Sequence, residues 1–325
     1  MRRNSTDKLM TLNYWRICIA NALLFLSVYM SLPLIPFAMG NRLDMPVAEA
    51  AYIFPAFAAG MFAVGPFHAY LGDEYKRKHV LLWAMLAWVA ATLATAFADE
   101  YLHFLLLALV QGGAFGTAAT AGITVAIDIT TSARRSAGNL VYAWASRLGM
   151  LIGAGAGVWL FEVYGFRTLL YLAAAVGLCA MLFAMRVYVA FRAPIGMTLL
   201  NVDRFVLPRA WLPAFNVVLI AFVPGVLLPL LLMGDLWPVL ALGLLAILTL
   251  PFTRMFVKLS HHCQRGTANT TCQLATDLGV MAGMTVACRL TAVSQMHYAA
   301  SSAALCALLL FILITYSYYK RKRVR

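Results

Sequence analysis

Two ionisable residues set in apolar sequence are the first candidates for chemistry. Arg147 stands in RSAGNLVYAWASRLGMLIG, residues 135–153, and Asp277 in RGTANTTCQLATDLGVMAG, residues 265–283. The two stretches align at a constant offset of 130, with Arg135/Arg265, Asn139/Asn269, Ala145/Ala275, Leu148/Leu278, Gly149/Gly279 and Gly153/Gly283 identical. Arg147 and Asp277 fall at the same position of the two copies, so opposite charges break the repeat there. Each lies about eight residues into its apolar run, roughly 12 Å along a helix at 1.5 Å per residue. Ionisable groups at membrane depth are costly and face a cavity or a partner rather than lipid. Two roles stand open. Arg147 anchors an anion while Asp277 takes up and releases a proton, or both make fixed links to other helices. Equal depth on opposite sides of a pseudo-twofold axis does not make them partners of each other.

Lone polar groups accompany them. Asn21 and Gln111 sit inside apolar runs, where an amide either lines a solute path or hydrogen-bonds a neighbouring helix, the commoner fate. Gly149, Gly153 and Gly157 recur at a spacing that lets helix backbones approach closely. Asn21 precedes Pro33 by twelve positions and Asn216 precedes Pro229 by thirteen, a weak second echo. His261-His262-Cys263 is read as a wet loop, because the further ligands that a closed metal site needs are not nearby in sequence. Neither a metal site nor a cofactor is expected. No Ser/His/Asp set or phosphate-binding glycine loop can be assembled, which argues against an enzyme.

The elements that must position these residues follow from hydropathy. The chain is 63% hydrophobic and only 11% charged, with a mean hydropathy of +0.83. A soluble domain could not cover that much apolar surface, so the lipid bilayer is the expected solvent. Runs at about 15–39, 47–71, 80–98, 101–127, 139–161, 167–190, 212–233, 236–255, 269–289 and 296–319 are long enough to span, which predicts ten transmembrane helices. The run 269–289 is the weakest, since it carries Asp277 and several threonines. The first run is too long for a signal-peptide core and reads as a spanning helix.

Most of the 25 basic residues fall on one side of these helices: near the N-terminus (Arg2, Arg3, Lys8, Arg16), at Lys76 to Lys78, at Arg134 and Arg135, at Arg186, Arg192, Arg204 and Arg209, at Arg254, Lys258 and Arg265, and in the tail from Lys320 to Arg325. The other loops hold Asp44, Glu49, Asp99, Glu100, Glu162 and Asp235. The positive-inside rule then puts both termini in the cytoplasm. The net charge of +13 is scattered in short clusters and forms no single stripe with interleaved aromatics, so no nucleic-acid partner is expected. Residues 1–192 form a six-helix half. Residues 193–212, with Pro194, Gly196 and Pro208, form a cytoplasmic linker, and 213–325 form a shortened half of four helices.

Between the second and third runs the chain reads Ala69-Tyr-Leu-Gly-Asp-Glu-Tyr-Lys-Arg-Lys78. This resembles the cytoplasmic signature of the major facilitator superfamily, Gly-x-Leu-small-Asp-Arg-x-Gly-Arg-Lys. Leu71, Gly72, Asp73, Arg77 and Lys78 match, whereas Ala69, Glu74 and Lys76 depart. Val110-Gln111-Gly112 is similar to the family's Arg-x-x-Gln-Gly, but Ala108 replaces the arginine linked to proton coupling. The glycine-rich fifth run resembles that of family antiporters without its Gly-Pro, and Gly165-Phe166-Arg167 resembles the family's Gly-Trp-Arg.

The resemblance implies an all-α, pseudo-twofold helix bundle in the cell inner membrane. Its implied activity is secondary transport of a small solute by alternating access, with proton-driven export as one form. It also implies that Asp73, with Arg77 and Lys78, meets the helix start near Arg265 as a cytoplasmic gate. An anion at a helix N-terminus is worth roughly 0.3–1 kcal/mol, and up to about 2 when partly buried.

The family has twelve helices and this chain ten. Counterparts of the family's eighth and ninth are the expected omission, and the fixed offset also allows loss of the seventh and eighth; either would strip Arg147 of the helix that packs against it. That leaves three outcomes: a working ten-helix carrier, a homo-oligomer that fills the gap, or a scaffold or sensor that no longer transports.

Overall fold

The computed structural model describes residues 10–131, 134–190, 196–261 and 264–323. Arg2, Arg3, Lys8, Arg192 and Arg325 of the charge pattern lie outside the described residues, as do Pro194, His262 and Cys263.

The described chain is mostly helical and shows no strand among the described residues, and its long helical stretches follow the apolar runs. They are α1 (Leu12–Leu43), α2 (Val47–Glu74), α3 (Arg77–Thr95), α4 (Tyr101–Asp128), α5 (135–164), α6 (166–185), α7 (Pro208–Met233), α8 (Trp237–Leu259), α9 (Arg265–Ala287) and α10 (Val293–Lys322). Eight stretches of the described chain are long and apolar enough to cross a membrane. Two physical facts separate that count from ten. First, α5 and α6 form one continuous 51-residue stretch, broken only at Gly165 (φ 77, ψ 174), a backbone conformation that a side chain would not tolerate. Second, α9 is too polar to count, with Asp277 and five threonines, yet almost every residue on it is buried by other helices. Polar residues are tolerated at that depth because protein, not lipid, surrounds them.

Local chemistry sets the boundaries. The Thr11 hydroxyl accepts the Tyr14 N–H at 3.2 Å and caps α1. Both α1 and α7 pass into 3₁₀ turns where a proline removes a donor, at Pro33 (Leu32–Leu34) and at Pro229 (Leu228–Met233). The echo between these two helices therefore corresponds to shared geometry at the prolines. It does not extend to the asparagines: Asn21 donates to Tyr142 O on α5, whereas Asn216 donates to Ala307 O on α10.

The two halves pack by one rule. A Cβ on Gly149, Gly153 or Gly157 of α5 would lie 2.2, 2.6 and 2.3 Å from Ala22 O, Leu26 O and Met30 O of α1. A Cβ on Gly279 or Gly283 of α9 would lie 2.4 Å from Val218 O or Phe222 O of α7. So α9 lies on α7 as α5 lies on α1.

The expected omission is corrected by the packing. α8 lies against α5, where Trp144 Nε1 donates to Ala246 O at 3.0 Å and Arg147 Nε donates to Thr249 Oγ1 at 3.1 Å. In the same way α2 lies against α9. α8 is thus the counterpart of α2, the position of the family's eighth helix, and it is present. Among the described residues the second half instead lacks counterparts of α3 and α4, the family's ninth and tenth. The repeat offset fixes how much chain is lost but not which helices, and α8 has no legible sequence echo. The loss leaves an apolar groove of about 700 Å³ between α7, α8 and α10.

Candidate functional site

Arg147 projects from α5 into the contact of the two halves and is 2% exposed. The helix begins at Arg135 rather than near 139, so Arg147 stands twelve residues in, about 18 Å along the axis. Its guanidinium donates to Thr249 on α8, to Met150 Sδ at 3.1 Å on its own helix and to Thr276 on α9 at 2.9 Å. Asp277, 1% exposed, accepts instead from Gln273 Nε2, 2.9 Å from both carboxylate oxygens. The two charges do not form an ion pair. The guanidinium reaches the residue next to Asp277 and stops there, so the two copies of the repeat meet through Thr276. Each ion is held by neutral groups, although taking a charge out of water costs several kcal/mol.

A narrow cavity runs past this arrangement. Asn21, Asn139, Ser146, Arg147, Thr249, Thr253, Asn269 and Gln273 supply its polar lining, with Phe25 and Ile123 among the apolar residues. It offers about 20 Å³ to the centre of a water molecule, room for about one. Asn139 also borders a second space of about 540 Å³ that carries Asp73, Arg77, Asp128, Arg135, Arg204 and Arg265 on its walls. The inner cavity thus abuts a vestibule at the Asp73 face. At the other face Tyr29, Leu34 and Phe54 meet Leu228, Leu231 and Met284 around a gap of only about 10 Å³.

The signature loop sits at the vestibule rim. Asp73 Oδ2 accepts the backbone N–H groups of Gly196 (2.9 Å) and Met197 (3.0 Å) in the linker between the halves. Arg77 pairs with Asp128 on α4 at 2.6 Å, and Lys78 donates to Met185 O at the end of α6, where the helix dipole favours a cation. The linker is anchored on both sides. Phe205 lies on Gly65 of α2, Thr267 of α9 donates to Arg204 O, and Leu207 N–H donates to Thr271 Oγ1.

The structure therefore brings Asn21 and Arg147 to one cavity and gathers Asp73, Arg77 and Arg265 around one vestibule, while Lys78 caps α6. Asp277 lies behind Gln273, and Gln111 lines neither space, donating to Thr95 on α3 at 3.2 Å. Reading the sequence did not single out Thr249, Thr276, Gln273, Asn139 or Asn269 as site residues. The two asparagines carried a signal, as an identical pair in the repeat. The threonines carried none. Among the described residues no cluster of three or more histidines, cysteines, aspartates or glutamates could hold a metal.

These features define a two-half helical membrane protein with a central polar cavity. The family model described as Major Facilitator Superfamily matches residues 17–316, and the chain belongs to that family of non-enzymatic carriers. It is similar to two Bacillus subtilis (strain 168) proteins named uncharacterized MFS-type transporters. Identity to YtbD is 24% over 152 residues, 47% of this chain and 38% of the relative. Identity to YfkF is 30% over 131 residues, 40% of this chain and 33% of the relative. The matched regions thus span only about a third of those relatives.

Among solved structures, the human organic anion transporter MFSD10 (TETRAN) superposes with a TM-score of 0.67 at 16% identity, covering 93% of this chain and 98% of that one. A bacterial homolog of the human lysosomal transporter Spinster, inward-facing and unoccupied, gives 0.56 at 13% identity, covering 94% and 80%. At these identities the likeness is one of fold.

Proposed function

We propose that the protein is a secondary transporter that moves a small solute across the inner membrane by alternating access. The observation that carries this reading is the asymmetry of the path between two related halves. A buried cavity holding Arg147 abuts a vestibule at one face and is closed by apolar packing at the other. Related halves can rock about such a site. In this reading the chain makes ten crossings with both termini inside, and the basic loops support a cytoplasmic vestibule. In this reading Asp73 latches the vestibule rim through the linker and Asp277 carries a coupling proton, with export as the direction.

The test needs no substrate. Native cysteines are replaced, single cysteines are placed at Asn21 and Ser146, and an impermeant thiol reagent is added from each side. Gln111, which lines neither space, serves as the control position. Labelling of the cavity positions from both sides supports alternation. Labelling from one side only, or none, leaves a scaffold or sensor and ends the transport reading.

A further inference from the structure

Asn139 on α5 and Asn269 on α9 hold the same place in the repeat, four residues into each helix. They are 6% and 8% exposed, and both line the inner cavity. Asn139 Nδ2, and both Nδ2 and Oδ1 of Asn269, make no hydrogen bond to any described residue. Buried amides are ordinarily partnered, so a pair left without partners at matching positions calls for an explanation.

Their surroundings say what would satisfy them. The cavity lining contains the Arg147 guanidinium and no carboxylate, because Asp277 lies behind Gln273. The vestibule beside it carries Arg77, Arg135, Arg204 and Arg265 against Asp73 and Asp128, and the buried Nε of Arg135 makes no hydrogen bond to any described residue. Among the lining residues of both spaces, positive charge exceeds negative. Such a path concentrates anions.

We propose that Asn139 and Asn269 form a two-sided amide clamp for the oxyanion group, carboxylate or phosphate, of a small organic anion. The group sits where the vestibule meets the inner cavity. Asn139 and Asn269 each donate an amide N–H to its oxygens, and Arg147 behind them supplies the balancing charge. Asn269 Oδ1 accepts a hydroxyl or N–H from the same solute. The body of the solute remains in the vestibule, since the inner cavity has space only for a water-sized group. The inference rests on the transport reading for its purpose but not for its test.

Thermal unfolding of the purified full chain is followed with benzoate, phenyl phosphate and the neutral isostere benzamide. At least one oxyanion should raise the melting temperature while benzamide does not, and the one that does identifies the group. Asn139→Leu and Asn269→Leu should each weaken binding about tenfold, the loss expected for a hydrogen bond to a charged group. Asn139→Asp should abolish it. Should either leucine variant fail to fold, the alanine variants at these positions, which also lack a donor, give the same comparison. No stabilisation by either oxyanion, equal stabilisation by benzamide, or full binding by the double leucine variant overturns the clamp. Binding with the expected pattern in a protein that moves no anion in proteoliposomes would instead overturn the transport reading and leave the clamp standing.

Discussion

At the scale of single residues, Arg147 is a buried cation held by threonine and methionine rather than by a carboxylate. Removing one such partner withdraws a hydrogen bond to a charged group, worth about 1.5–3 kcal/mol. Thr249→Val, which keeps the shape, is therefore expected to lower the melting temperature of the purified protein, and an unchanged melt would show that the bond adds nothing. Asp277 has a different test. If it carries the coupling proton, Asp277→Asn abolishes uphill proton-driven flux but keeps solute exchange between loaded vesicles. Full uphill flux in the variant would exclude it. Sequence revealed both ions because charge inside an apolar repeat is conspicuous. It did not reveal Thr249 and Thr276, because threonines in apolar helices ordinarily bond their own backbone, as Thr249 itself does to Leu245 O.

At the scale of elements, the fifth helix separates glycines that permit contact from one that does not. Gly153 faces the α1 backbone, while a Cβ on Gly155 would meet nothing within 4 Å. Gly153→Leu should force α5 from α1 and cost at least about 1–3 kcal/mol, read as lost folded protein or a lowered melt. Gly155→Leu should be tolerated, and similar damage from both would refute the packing argument. The linker is the second element with a testable role. Asp73 holds its Gly196 and Met197 amides, so Asp73→Ala should lower transport at equal membrane expression. Undiminished transport would dismiss the latch. The resemblance placed this carboxylate at the start of α9, and the structure gives it the linker amides, with Arg265 on another wall of the same vestibule. Linker and α9 are themselves joined through Thr267 and Thr271, so the carboxylate reaches the second half by way of the linker.

At the scale of the molecule, the proposed alternating access requires that one face close as the other opens. Leu34 and Leu231 line the same small gap at the sealed face, one on each side of the linker in sequence. A cysteine pair there, cross-linked, should arrest transport and release it on reduction. Transport that continues through the cross-link would mean that this face need not open.

Sequence by itself determined the class of this protein. Apolar runs of spanning length, a 130-residue repeat, a signature loop and alternating basic clusters are local or periodic facts, and they do not depend on which helices touch. Only the tertiary structure decided the rest. It showed that α8 covers Arg147, that the repeat meets itself through Thr276 rather than through opposed charges, and that Asn139 and Asn269 share a cavity. Contacts between helices far apart in sequence come from shape matching among apolar surfaces, in which glycine spacing is legible but the partner is not.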